Sequence, residues 1–336
     1  MPDPNAATIA ARPRRRWWPL IKWTLFALML FFVGKRAVSL WQSSPEIKLH
    51  VNAWWLLPAA ALYLVGWLPS AWFWRAMLRR LGQRPTGYET VRAYFVGHMG
   101  KYVPGKALVL VIRGGLLKQA GCNPVLGGLT AAYETLVSMS AGAAIAVALA
   151  PAVIPDGLWE RLPAAVQFLR QQQTLVVILV VVLTLASTPF SAWLFSRIGQ
   201  KAVPQSMDAT TTQITAGLVV QGLMITSLGW ALHALSLGCT LQALADEPID
   251  LRQFPVWLAS VALSTFAGFV ILVAPGGLGV REWVLIETLK DQPGIGAEKA
   301  IVVAGLLRIV WFVAELLIAG VLYSIAPTTR QPADSR

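Results

Sequence analysis

Long apolar runs alternate with short basic or polar connections along this chain, and the runs have the length that lipid demands. Leu175 to Leu185 is interrupted by one threonine only, and Ala259 to Ala274 carries no charge. A helix crossing a bilayer needs about 20 mostly apolar residues. The pattern predicts full spans at Trp17–Leu40, Trp54–Met77, Val125–Ala150, Thr174–Phe195, Gln213–Leu241 and Ala300–Ile325. Two further apolar stretches break in the middle. Tyr88–Leu117 carries Arg92, His98, Lys101, Lys106 and Arg113 and is interrupted at Pro104-Gly105. Trp257–Leu289 runs apolar to Ala274, breaks at Pro275-Gly276-Gly277, then turns amphipathic with Arg281, Glu282 and Glu287. The predicted fold is an all-α integral membrane protein of about six full transmembrane helices plus two re-entrant or broken helical hairpins.

The basic residues orient these spans. With the N-terminus in the cytoplasm, lysines and arginines favour the inner face by about two to one, which predicts both termini inside. Trp17, Trp18, Trp41, Trp54, Trp55 and Trp159 fall near span ends, where amphipathic rings anchor to the interface. In this arrangement the stretch around Pro104-Gly105 begins and ends inside, and the stretch around Pro275-Gly276-Gly277 begins and ends outside. Broken segments entering from opposite faces are the signature of an inverted repeat, with halves of roughly Trp17–Ala150 and Thr174–Ile325.

Composition supports the same solvent. The chain of 336 residues is 56% hydrophobic and 13% charged, with a net charge of +12. A soluble domain carries about a quarter charged residues. The positive charge therefore reads as membrane orientation, and no nucleic-acid partner is expected. Arg12, Arg14, Arg15 and Arg16 before an apolar run imitate a signal peptide. Lys35 and Arg36 stand where a small, neutral cleavage region belongs, so an uncleaved first span is predicted. Residues 1–16 form a basic cytoplasmic N-terminus that touches anionic lipid. Residues 327–336 are predicted to form a disordered tail, and no loop is long enough for a second domain. The whole of 1–336 is a single transmembrane domain.

Backbone broken at membrane depth costs several kcal/mol for each unsatisfied group unless protein or a wet cavity shields it. Both breaks are therefore predicted to tuck into the bundle, where half-helix N-termini offer a seat for an anion such as phosphate. The plainer alternative is a pair of space-filling hairpins. Lys101, Tyr102 and Lys106 around Pro104-Gly105, with Arg113 beyond, could grip a lipid head group. Interfacial snorkelling explains the same lysines. Glu134 lies within a span on a line with Thr130, Ser138 and Gly142, and a carboxylate there needs a partner or a cavity. Arg308 and Glu315 share a face of the last span, and an Arg308–Glu134 pair joining the halves is the expected partnership, structural or substrate-binding. Arg281 and Glu282 diverge around their helix, so one is expected toward a cavity and the other toward the outer surface. Small residues at Ser260, Ser264 and Gly268 read as close helix packing.

Enzyme signatures are absent from the sequence. His50, His98 and His233 are scattered with no carboxylate at ligand spacing, and Cys122 and Cys239 have no CxxC partner. No nucleotide-cradling glycine motif occurs. No metal or cofactor is expected.

Gly100-Lys101-Tyr102-Val103-Pro104-Gly105-Lys106 with Arg113, and Ala274-Pro275-Gly276-Gly277-Leu278-Gly279-Val280-Arg281-Glu282, resemble the transmembrane region of the lysylphosphatidylglycerol synthase family. The resemblance runs from the first span to the last, and Arg308 agrees with it. Many members carry Glu-Arg in the third span, where this chain has Glu134-Thr135. The resemblance implies a flippase-like domain of the bacterial inner membrane, found alone or fused to soluble transferases. It implies membrane lipid, anionic or zwitterionic, as the partner. No segment here could house the aminoacyl-transferase module. The expected function is lipid translocation between leaflets without ATP. Two alternatives stand beside it: an accessory that presents a lipid carrier to a separate glycosyl- or aminoacyl-transferase through the basic face between Arg75 and Lys118, and an integral enzyme acting on lipid.

Overall fold

A computed structural model describes residues 51–102, 107–154, 160, 167, 171–202, 213–271 and 275–325. The first predicted span, the basic segment 1–16, the tail 327–336 and the candidate residues Pro104, Gly105 and Lys106 lie outside the described residues. The described elements are all helical. Helices α1 (Leu56–Gly66) and α2 (Leu68–Arg80) form one continuous span, Ala53–Arg80. A tight hairpin follows, made of α3 (Gly87–His98), a short turn Met99–Tyr102 and α4 (Leu108–Gln119). Long helices α5 (Pro124–Ala148), α6 (Gln173–Ala202) and α7 (Ala216–Gln242) come next. The second hairpin pairs α8 (Phe254–Val270) with α9 (Val280–Leu289) across the turn Pro275–Gly277, and α10 (Gly296–Ser324) closes the bundle.

Local chemistry sets these boundaries. Thr86 and Glu89 form a reciprocal capping box that starts α3. The side chain of Asn123 caps α5, with Pro124 at its first position. The arms of the first hairpin are 12 residues each, about 18 Å at 1.5 Å per residue, too short for a hydrocarbon core of about 30 Å. The predicted spans that lie among the described residues are found within a few residues of their expected ends. Leu251–Val270, read from sequence as half of a broken stretch, is itself long and apolar enough to cross.

Hydrogen bonds at the ends of elements show which ends share a face. On one face Arg92 Nε donates to the Leu322 carbonyl at 2.9 Å, and Tyr88 Oη donates to the Ile325 carbonyl at 3.2 Å. Gln83 Oε1 there accepts from the Asn123 amide at 2.7 Å, closing the base of the first hairpin. On the other face the Asn52 amide donates to the Ala243 carbonyl at 2.8 Å. Gln253 Nε2 closes the base of the second hairpin on the Pro293 carbonyl at 3.4 Å, beside a Gln292–Ala152 contact of 3.4 Å. The hairpins thus enter from opposite faces. Their tips meet at mid-bundle, where a Cβ on Gly276 would lie 3.2 Å from the Tyr102 ring. Span, hairpin, span recurs in both halves, which is the predicted inverted topology.

Small residues let the halves approach. A Cβ on Gly229 of α7 would fall 2.5 Å from the Gly66 carbonyl oxygen of α1. Ser260 and Ser264 are buried on the packed face of α8, and Gly268 continues that line, as the spacing predicts. Among the described spans α6 is the least buried, and it leaves Leu175, Ile178, Val182, Leu183, Phe190 and Trp193 exposed.

Candidate functional site: a cavity between the hairpin tips

Between the two tips and helix α5 lies a half-open cavity of about 420 Å³. Leu110, Leu136, Met139 and Phe269 give it apolar walls, while Lys101, Arg113, Glu134 and Arg281 supply its charge. Glu134 sits on the buried stripe of α5 with Thr130, Ser138 and Gly142, as its spacing predicts. Its partner is Arg113. The pair is 3.0 Å apart with both side chains 2% exposed. Tyr94 Oη donates to Glu134 Oε1 at 3.2 Å, and its ring lies 3.8 Å beneath the guanidinium. The space for Arg113 exists because Gly97 lacks a Cβ, which would strike the arginine Cγ.

The expected Glu134–Arg308 pair does not form. Helix α5 packs along the return arm α4 of its own half, so the nearest cation comes from there. Arg308 instead lies 3.4 Å from Glu282 and donates to the Gly276 carbonyl at 3.2 Å. Glu282 also accepts from the Gly279 amide at 2.6 Å and so caps α9. Both Arg281 and Glu282 turn inward, correcting the expectation that one of them faces outward. The cause is the tight turn: Gly276, Gly277 and Gly279 all adopt positive φ and bring the start of α9 directly under α8.

Glu315, 1% exposed, gathers a second cluster. Lys101 Nζ lies 2.5 Å from Glu315 Oε1, Tyr102 Oη donates to Oε2 at 2.8 Å, and Tyr63 Oη donates to Oε1. Lys101 is therefore pinned to the last span rather than held free for a ligand. His98 joins the clusters: Arg113 Nη2 is 3.4 Å from His98 Nδ1, and His98 Nε2 is 3.8 Å from Glu315 Oε1. A donor on Nδ1 leaves the ring proton on Nε2, aimed at Glu315. The structure thus brings together Lys101, Tyr102, Arg113, Glu134, Gly276, Gly277, Gly279, Arg281, Glu282, Arg308 and Glu315 at the tips, with Pro275 in the turn itself.

Tyr63, Trp67 and Tyr94 carry no expectation from the sequence, and His98 only that it is no metal ligand. Tyr94 with His98, and Tyr63 with Trp67, stand four apart on apolar helices, a spacing that places each pair on one face. Trp67 fills the cavity floor against His98 at 4.5 Å and His233 at 4.8 Å between ring centres. Trp311 stacks on Tyr63 at 4.3 Å.

This geometry of paired hairpins around buried charge has a sequence counterpart. The family model described as lysylphosphatidylglycerol synthase TM region matches residues 20–319. The chain belongs to that family. No curated protein matches the chain. The protein is accordingly a multi-pass membrane domain of the lysylphosphatidylglycerol synthase transmembrane type, related to lipid modification or translocation and working among membrane lipids. Arg113, from the adjoining hairpin arm, supplies the cation to Glu134 here.

Proposed function

We propose that this domain moves lipid head groups between leaflets through the cavity at the hairpin tips, driven by no nucleotide. The cavity itself carries the reading: apolar walls suit acyl chains, and fixed charge at the meeting point of the two halves suits a head group. The halves have opposite topology, so rocking one against the other opens the same cavity first to one leaflet and then to the other. Glycines at the second tip permit that motion. In this reading both termini face the cytoplasm of a bacterial inner membrane, and the lipid leaves chemically unchanged.

Purified protein in vesicles with a tail-labelled fluorescent phospholipid tests it. A membrane-impermeant reductant added without nucleotide is expected to bleach inner-leaflet dye as well as outer. Bleaching that stops at the outer leaflet, as in protein-free vesicles, contradicts translocation. Recovery of covalently altered lipid would support an enzyme instead.

A further inference from the structure

The charges around the cavity pair off, with one left over. Arg113 is matched by Glu134 at 3.0 Å, Lys101 by Glu315 at 2.5 Å and Arg308 by Glu282 at 3.4 Å. Arg281 lines the cavity and has no carboxylate within 4.0 Å among the described residues. Its recorded hydrogen bond runs from Nη2 to Thr265 Oγ1 at 3.0 Å, and the guanidinium lies 5.2 Å over the Trp311 ring. Residues 103–106 and 272–274 contain no acid. Glu282 acts on Arg281 at longer range but is already engaged by Arg308 and the Gly279 amide, so a buried guanidinium that keeps its proton is left with room for an anion.

Two other observations point the same way. The backbone is shaped around this side chain, since a Cβ on Gly268 would fall 2.5 Å from Arg281 Cγ and one on Gly277 2.8 Å from its Cδ. Glu134, the one carboxylate lining the cavity among the described residues, is already engaged by Arg113, Tyr94 and Thr135, which leaves no acid among them for a ligand ammonium.

We infer that the cavity selects a lipid-borne phosphate that carries no compensating cation, with Arg281 as its anchor. This deepens the translocation reading and rests on it for the transport arm only. Unmodified phosphatidylglycerol fits; phosphatidylcholine and phosphatidylethanolamine bring an unmatched cation, and a lysine-esterified head group brings net positive charge against Arg281. Isoprenoid phosphates offer the same chemistry from another source.

The test compares tail-labelled phosphatidylglycerol, phosphatidylcholine, phosphatidylethanolamine and lysyl-phosphatidylglycerol in the vesicle assay. In parallel, calorimetry measures binding of dihexanoyl phosphatidylglycerol, dihexanoyl phosphatidylcholine and geranylgeranyl phosphate in detergent. Phosphatidylglycerol is expected to move and bind about tenfold better than the zwitterionic lipids, whose ammonium groups find no free acid in the cavity. Arg281→Gln is expected to erase the preference and Arg281→Lys to keep part of it. Tight binding of geranylgeranyl phosphate with weak phosphatidylglycerol binding would assign the phosphate to an isoprenoid carrier. Equal movement and binding of all head groups overturns the selectivity while leaving translocation intact. Selective binding without movement of any lipid overturns translocation while leaving the anchor intact.

Discussion

Arg113 and Glu134 illustrate how buried charge behaves when water is excluded. Each neutralises the other, and Tyr94 and His98 occupy further donor and acceptor positions. Removing one partner strands the other, at about 3–5 kcal/mol, whereas replacing both by apolar side chains of similar volume is often near neutral. Arg113→Met or Glu134→Leu alone should therefore lower the detergent unfolding temperature more than the double variant does. A double variant as damaged as the sum of the singles would contradict the pairing. Glu134 was legible as a buried acid because its stripe repeats every four residues. Its partner was not, because sequence spacing does not reveal which cation a hairpin folds onto it. Arg308 had the right charge in the wrong half, and its place beside Glu282 depends on a turn that only the three-dimensional path displays.

The helices and hairpins were easier to foresee than their contacts. Apolar length located the spans, and Pro-Gly breaks located both hairpins, because lipid punishes an interrupted backbone wherever protein does not cover it. Helix α8 shows where that logic weakens: it is apolar enough to cross, and only its return arm α9 and the Gln253–Pro293 closure make it half of a hairpin. The contact between α1 and α7 rests on bare glycine. Gly229→Val should cost stability by overpacking against the Gly66 carbonyl, on the order of 1–3 kcal/mol, read as a lower unfolding temperature. The first hairpin's tip depends on Glu315 as its clasp for Lys101, Tyr102 and Tyr63. Glu315→Gln should accelerate amide exchange at Met99–Tyr102 by about an order of magnitude while leaving the middle of α5 protected. Unchanged exchange there would mean that the clasp contributes nothing to holding the tip.

At the scale of the whole molecule, the account depends on topology. The count of crossings along the sequence puts the hairpins on opposite faces, and the hydrogen bonds at the two ends of the bundle put them there as well. What counting could not supply was the cavity, since its walls come from five separate helices, both hairpin turns and Trp67 at the junction of α1 and α2. Opposite entry is the premise on which alternating exposure of one site rests, and it is directly measurable. Lys118 at the base of the first hairpin and Asp291 at the base of the second are both exposed. With the chain's two cysteines removed as Cys122→Ser and Cys239→Ser, Lys118→Cys and Asp291→Cys are labelled singly in sealed vesicles with an impermeant maleimide. The account predicts that one position reacts only from outside the vesicle and the other only after the membrane is opened. Labelling of both from the same side would contradict it.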